Sequence, residues 1–223
     1  LLILVPVALS VAYGRDFASE TRLAEDRTVI ERKAEEVLKQ EDLAPKRWAA
    51  RLAPEELPDF AGFELGRVYQ AGRGVMSGDF YDVFRVAPSR IAAVIGDVTG
   101  RGIEASITAF QAKYLLRVFL RQYRDPAQAL EELNNQMAAP DRPEEFISLV
   151  VVLFDTDANP LRFASAGHPA AWLWHDKEVR PLRATGPLLM LDPNGSYHSR
   201  EIGLNQGDLL LLYTDGLAEV RNG

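Results

Sequence analysis

The order of the secondary-structure patterns along the chain constrains its fold most. Two strand patterns, Tyr81–Val86 and Ile91–Asp97, precede two helical stretches, Ile103–Tyr123 and Pro126–Met137. A series of short apolar strand patterns then follows up to Asp215, joined by turns of hairpin length. Strands, a helix pair and further strands do not alternate as they would in a parallel βαβ sheet. The order therefore predicts an α+β fold with helices laid on antiparallel sheets.

The individual elements can be placed from local patterns. A first strand is predicted at "FELGRVYQA", from Phe63, and the later strands are predicted at "FISLVVVLFD", "PLRFASAG", "AAWLWH", "EVRPL" and "DLLLLYTD". Asp125 followed by Pro126 is a typical helix start, an N-cap residue before proline. The apolar face of the first helix is expected at Ile107, Phe110, Tyr114, Leu115 and Val118.

The N-terminal residues 1–14 are apolar almost throughout. The run is shorter than the roughly 20 residues that cross a bilayer. Because the sequence has no initiator Met, we interpret this segment as the end of a transmembrane helix, which would place the rest of the chain on the cytoplasmic face of the plasma membrane. A buried core strand or helix is the alternative.

Residues 15–57 have the pattern of a helical linker. Leu23, Ile30 and Val37 recur every seven residues, which is the spacing of a coiled-coil seam and predicts a homodimer through this helix. An amphipathic helix that packs on the domain is the alternative. Prolines at positions 45, 54 and 58 then break the helix, so the main domain is expected over residues 58–223.

The amino-acid composition excludes some classes of function and some kinds of metal site. The 223-residue chain carries a net charge of -7, which argues against a nucleic-acid surface, and it has no cysteine. Disulfides and thiolate metal ligands are thereby excluded. Any metal site must use nitrogen and oxygen ligands.

Three aspartates lie where apolar strand patterns meet glycine-containing turns. Asp79 precedes a strand, Asp97 ends "AAVIGD", and Asp215 ends "LLLLYTD". Three carboxylates held together would repel one another unless a cation neutralised them. Oxygen ligands favour a hard cation, Mg²⁺ or Mn²⁺. At each position taken alone, an Asp that starts a turn is the simpler interpretation.

Four motifs, in this order along the chain, resemble those of a known family, and the resemblance favours a metal site over three separate turns. "SGDFYD", "IGDVTGRGIEAS", "ASAGHPA" and "GDLLLLYTDGLAEVRNG" together resemble the bacterial PPM (PP2C-type) serine/threonine phosphatases of the SpoIIE/RsbU group, over residues 58–223. The resemblance implies an α-β-β-α sandwich, with two antiparallel sheets between helix layers. That fold agrees with the α+β order of the patterns.

The resemblance also implies a site and a substrate. Asp97 would bridge two Mn²⁺ or Mg²⁺ ions, the backbone carbonyl of Val98 would be a further ligand, Asp215 would bind one ion, and Asp79 would complete the cluster directly or through water. The substrate would be a phosphoserine or phosphothreonine on a small STAS-type anti-anti-sigma protein. The reaction would then belong to a partner-switching pathway that controls a sigma factor.

Two departures from the family pattern leave a second hypothesis open. The usual Gly-Gly-Asp is Ser77-Gly78-Asp79 here, and the family's last strand, with an Asp-Asp pair that includes a metal ligand, lies past Gly223. With that ligand missing, the site is expected to bind one metal weakly. The alternative function is a catalytically degenerate phosphatase fold that acts as a regulatory binding module.

Two other features could belong either to the functional site or to the core. His168 in "AGHPA" could be a general acid, but a polar side chain that fixes a strand-to-turn junction before Pro169 is the favoured interpretation. Trp172 and Trp174 alternate along one strand, so they are expected on one face, in core or sheet packing.

Overall fold

The computed structural model describes residues 51–53, 56–68, 78–100, 102–138, 145–158 and 160–218. They all belong to the second of two units into which the chain divides, Lys46–Gly223. The predicted membrane segment 1–14, nearly all of the linker 15–57 and Ser77 lie outside the described residues. Among the residues that are described, no helix is both long and apolar enough to cross a membrane.

Eight strands and three helices make up the described part of the domain. The strands are β1 Phe80–Ala87, β2 Arg90–Val98, β3 Ile147–Asp155, β4 Pro160–Ala166, β5 Ala171–His175, β6 Glu178–Leu182, β7 Arg200–Gly203 and β8 Leu209–Leu211. The helices are α1 Ile103–Gln122, α2 Pro126–Met137 and the single turn α3 Asp215–Ala218. The strands form two antiparallel sheets, in the orders β1-β2-β3-β4-β7 and β6-β5-β8. This confirms the predicted α+β sandwich of antiparallel sheets flanked by helices.

Strand β3 lies at the centre of the packing because both of its faces are buried. Leu149, Val151 and Leu153 pack in one cluster with side chains of α1 and α2. Val150 and Val152 pack in a second cluster, with residues of the three-stranded sheet. A nearly continuous apolar run such as "ISLVVVLF" is typical of a strand covered on both sides. The five-stranded sheet thus has helices on one face and the smaller sheet on the other.

Helix α1 packs in the core through a different face from the predicted one, so the predicted apolar face was wrong. Its buried positions include Ala105, Ala109 and Ala112, whereas Tyr114 and Val118 are 38% and 55% exposed. Ile107 is likewise exposed, while Phe110 and Leu115 are partly buried at the edge of the core. The buried face combines these alanines with Leu116, Phe119 and Leu120 in the second half of the helix.

Helix α2 and the hairpin turns match the sequence predictions. The Asp125 side chain accepts a hydrogen bond from the Ala127 N–H at 3.0 Å, which is the predicted N-cap. Between β5 and β6, Asp176 and Lys177 have φ of 51° and 66°. Two successive residues in the left-handed region are typical of a two-residue hairpin turn of type I′.

Two strand predictions needed correction. Residues 63–68 are not in a strand: Leu65 and Val68 are 40% and 99% exposed, so the alternating pattern has no buried face. Strand β7 was not predicted, because its sequence "REIG" is short and largely exposed. It pairs with β4 along the ladder that joins Leu161 to Ile202.

The outer face of the three-stranded sheet is apolar and exposed. Trp172 pairs with Pro181 and Leu211 across the neighbouring strands, and Trp174 pairs in the same way with Val179 and Leu209, so all six side chains share one face. The prediction that both tryptophans lie on one face is confirmed. Their burial in the core is not, since they are 38% and 44% exposed.

Candidate metal centre

Asp79 and Asp97 lie at the same end of the β1–β2 pair. The ladder's first pairing joins Phe80 to Gly96, so the next residues along the two strands are Asp79 and Asp97. Opposed residues in an antiparallel pair have Cα atoms about 4.5–5.5 Å apart and project to the same face. The strand register therefore brings these two predicted site residues together.

Gly78 provides the space in which the Asp97 carboxylate and the Val98 carbonyl meet. A Cβ at position 78 would overlap the Val98 carbonyl oxygen and would lie 3.1 Å from Asp97 Oδ1. The glycine is thus required by close approach of the backbone. One carboxylate and one backbone carbonyl border the same small space, which is an oxygen donor set suited to a hard cation.

The charges of the other two predicted aspartates act on Asp97. Burial, together with the charges of Asp79 and Asp215, raises the pKa of Asp97 to about 7, against a lowering by the Val98 N–H. Such a carboxylate is poised to bind a cation, because a positive charge would relieve both the burial and the repulsion. The two other aspartates that the sequence predicts as site residues thus contribute to the raised pKa of Asp97.

Asp215 is placed differently from the prediction. Strand β8 ends at Leu211, and Asp215 is the exposed first residue of the turn α3. It therefore lies four residues past the strand end, outside the sheet that contains Asp97.

The three carboxylates are near one another without forming a closed ligand set. Within the ranges that the structure describes, no three His, Cys, Asp or Glu side chains are grouped closely enough to hold a metal ion together. The residues fit a hard divalent cation by their chemistry, with Asp97 and the Val98 carbonyl as the most defined pair.

The loop that follows Val98 is fixed by Thr99, which sequence reasoning did not single out. The Thr99 N–H donates to the Phe146 carbonyl at 2.9 Å, and the Phe146 N–H donates to Thr99 Oγ1 at 2.8 Å. These bonds tie the loop to the residue that precedes β3. No local sequence signal points to this contact, because Phe146 is 47 residues away along the chain.

His168 is buried near the three aspartates. Its Nδ1 lies 2.8 Å from Ser148 Oγ, and its Nε2 lies 3.0 Å from the Tyr213 carbonyl oxygen. Both ring nitrogens are engaged, which agrees with the favoured interpretation of a fixing side chain. Ser148, which the sequence analysis did not include, is opposite Asp97 in the β2–β3 register.

Comparison with known proteins identifies similar chains. The family profile for Stage II sporulation protein E (SpoIIE) matches residues 87–223. Phosphoserine phosphatase RsbU of Bacillus subtilis (strain 168) is 27% identical over 168 residues, which are 74% of this chain and 50% of RsbU. The chain thus spans half the length of this curated relative.

Two solved structures are similar in fold. The RsbU and RsbW domains of a Mycobacterium tuberculosis protein align with a TM-score of 0.56 and 29% identity, over 67% of this chain and 42% of that one. The PP2C phosphatase domain of SpoIIE from Bacillus subtilis, solved with a fragment of its regulatory domain, aligns with a TM-score of 0.58 and 22% identity. That alignment covers 67% of this chain and 45% of the SpoIIE chain.

Proposed function

The chain belongs to the SpoIIE family of PP2C-type phosphatases, and from that membership we propose that it is a metal-dependent protein serine/threonine phosphatase. One observation carries the proposal. Asp97 lies beside the Val98 carbonyl in the space left by Gly78, and the charges of Asp79 and Asp215 act on it. This is an oxygen-ligand centre at the position of the family motif.

The proposed cofactor is Mn²⁺ or Mg²⁺, with two ions in the complete domain. Asp79, Asp97, the Val98 carbonyl and Asp215 would hold it. Bound divalent cations supply a water of lowered pKa and neutralise the phosphoryl oxygens. The chain's own contribution is position: the β1–β2 register sets Asp79 against Asp97, and Thr99 fixes the loop that presents the Val98 carbonyl.

The proposed substrate is a phosphoserine or phosphothreonine on a STAS-type anti-anti-sigma protein, in a partner-switching pathway that regulates a sigma factor. Similarity to RsbU, whose name is phosphoserine phosphatase, supports a phosphoprotein substrate. Because the aligned part is half of RsbU, the partner is inferred from the family motifs and not from the alignment.

We also propose how the domain is placed in the cell. The apolar residues 1–14 would tether it to the plasma membrane, the heptad residues of 15–57 would pair two chains, and the phosphatase domain would lie on the cytoplasmic side. The sequence patterns support this arrangement.

The direct test is release of phosphate from a phosphorylated STAS-type protein, with and without Mn²⁺. Asp97→Asn should abolish Mn²⁺-dependent turnover while circular dichroism shows an intact fold. Asp157→Asn, at the exposed tip of the β3–β4 hairpin, is the matched control and should keep full activity. Full activity in Asp97→Asn would show that the proposed centre is wrong.

A second candidate, the regulatory binding module, is favoured by one observation: the described residues hold no closed group of three metal-ligating side chains. The phosphate-release assay distinguishes the binding module from the phosphatase. A binding module would retain the phosphorylated STAS-type protein on a column and release no phosphate at any Mn²⁺ concentration. The phosphatase would release phosphate in proportion to time and enzyme.

A further inference from the structure

His168 joins the two sheets next to the proposed metal centre. It follows β4 by two residues, after Gly167, whose φ of 60° turns the chain. The side chain is 4% exposed. It reaches Ser148 on β3 of the five-stranded sheet and the Tyr213 carbonyl that follows β8 of the three-stranded sheet.

The two hydrogen bonds define the state of the ring. A carbonyl oxygen can only accept, so Nε2 must carry the proton that is donated to Tyr213 at 3.0 Å. Nδ1 then accepts from the Ser148 hydroxyl at 2.8 Å when the ring is neutral. Burial lowers the pKa of His168, although its two hydrogen bonds and the charge of Asp215 oppose this. The geometry therefore requires a proton on Nε2, and the lowered pKa favours the neutral ring.

The two partners of His168 are each adjacent to a proposed metal ligand. Ser148 is paired with Asp97 across the β2–β3 ladder, and paired residues project to the same face. Tyr213 is two residues before Asp215, in the segment between β8 and α3. The ring thus spans the distance from the strand partner of Asp97 to the segment that carries Asp215.

We propose that His168 is a positioning residue, which holds the segment bearing Asp215 at a fixed distance from Asp97. The inference rests on the proposed function, because it concerns the same metal centre. Asp215 needs such a support, since it is exposed and lies beyond the end of its strand. A general-acid role is not part of the proposal, because the ring's only proton is donated to a backbone carbonyl.

The decisive measurement is Mn²⁺ affinity, read by electron paramagnetic resonance, which does not depend on turnover. His168→Phe keeps a ring of similar size and removes both hydrogen bonds. We expect its Mn²⁺ affinity to fall about 10-fold or more, as when an outer partner of a ligand is lost. Ser148→Ala removes one of the two bonds and should lower the affinity less, with no added effect in the His168→Phe background.

The matched control is His175→Phe. His175 is also a buried histidine in a hydrogen bond, to Asp208 at 2.7 Å, and it lies at the opposite end of β5 from His168. If His168 only stabilises the fold, both variants should lose thermal stability and neither should change Mn²⁺ affinity. That result would overturn the inference, as would equal weakening of Mn²⁺ binding in both.

A second readout tests the ring itself. ¹⁵N shifts of His168 in the wild-type protein should report a proton on Nε2. A ring with its single proton on Nδ1 would contradict the donation to the Tyr213 carbonyl and overturn the inference. If His168→Phe does not fold, Ser148→Ala replaces it as the test variant. Unchanged Mn²⁺ affinity in Ser148→Ala would then overturn the inference.

The outcomes distinguish this inference from the function on which it rests. A wild-type protein that binds no Mn²⁺ would overturn the proposed metal-dependent function, and the inference with it. A wild-type protein that binds Mn²⁺, together with a folded His168→Phe variant that binds it equally well, would overturn the inference alone.

Discussion

The ring of Phe80 lies over Gly96 on the neighbouring strand. A Cβ at position 96 would stand 2.6 Å from Phe80 Cζ and 3.0 Å from the Ser148 carbonyl oxygen. Phe80 is 1% exposed, so the ring cannot move aside into solvent. This contact lies at the Phe80–Gly96 pair, one residue from Asp79 on one strand and one residue from Asp97 on the other, so the geometry of the two aspartates depends on a glycine and an aromatic residue.

Gly96→Ala should destabilise the domain by about 1–3 kcal/mol, because it forces an extra methyl group into a packed core. The free energy of unfolding in urea measures this. Gly203→Ala is the control: a Cβ there would meet no atom within 4 Å, and the variant should unfold near the wild-type midpoint. Equal stability of Gly96→Ala and wild type would show that the Phe80 ring does not pack against Gly96.

Gly78→Ala should impair the metal centre more than the fold. The added Cβ would displace the Val98 carbonyl oxygen and crowd Asp97 Oδ1. We expect Mn²⁺ affinity to fall at least about 10-fold, measured by calorimetric titration, with a small change in thermal midpoint. At Gly66 a Cβ would meet no atom within 4 Å, so Gly66→Ala should bind Mn²⁺ normally. Normal affinity in Gly78→Ala would contradict a role for the Val98 carbonyl.

The sequence predicted the elements whose patterns are local. Helix α2 begins and ends where proline, the Asp125 cap and the apolar spacing placed it. Strand β3 was recognisable because a strand buried on both faces is apolar throughout. Asp79, Asp97 and Asp215 could be grouped in advance because each follows or precedes an apolar strand pattern next to a glycine.

What the sequence did not predict depends on contacts between distant segments. The buried face of α1 combines alanines with larger apolar side chains, and contact with the sheet decides which of the helix's apolar residues are covered. The position of Asp215 beyond β8, and the role of Ser148 opposite Asp97, follow from strand ends and register. The hydrophobic periodicity of the sequence indicates neither the position of Asp215 nor the pairing of Ser148 with Asp97.

Asp82→Ala should be strongly destabilising. Asp82 is buried, accepts a hydrogen bond from Arg117 Nη2 at 2.8 Å, and lies 3.9 Å from Lys113 Nζ. Removing the carboxylate leaves a buried lysine without its counter-charge, which costs about 3–5 kcal/mol. The exposed pair Arg162–Glu201 is the comparison: Glu201→Ala should cost less than about 1 kcal/mol. Chemical unfolding of the two variants measures both values, and similar losses would argue against the buried network.

Lys113 should make stability depend on alkaline pH. Its Nζ donates to the carbonyls of Arg51, Leu52 and Tyr81 at 2.7, 3.2 and 3.0 Å. Burial, with a smaller contribution from the charge of Arg117, lowers the pKa of Lys113 from 10.5 to about 8, against the attraction of Asp82. Between these two values the unfolded chain binds more protons than the folded one, so the contribution of Lys113 to stability rises with pH.

Comparison with Lys113→Met isolates this effect, because all other titrating groups are common to both proteins. Near neutral pH the variant should be the less stable of the two, since three backbone carbonyls lose their donor. The gap should widen between about pH 8 and pH 10.5, by on the order of 1–3 kcal/mol, in urea unfolding at fixed ionic strength. A constant gap would mean that the pKa of Lys113 is the same in both states. A narrowing gap would mean that the folded state raises it, so that the three carbonyls and Asp82 outweigh burial.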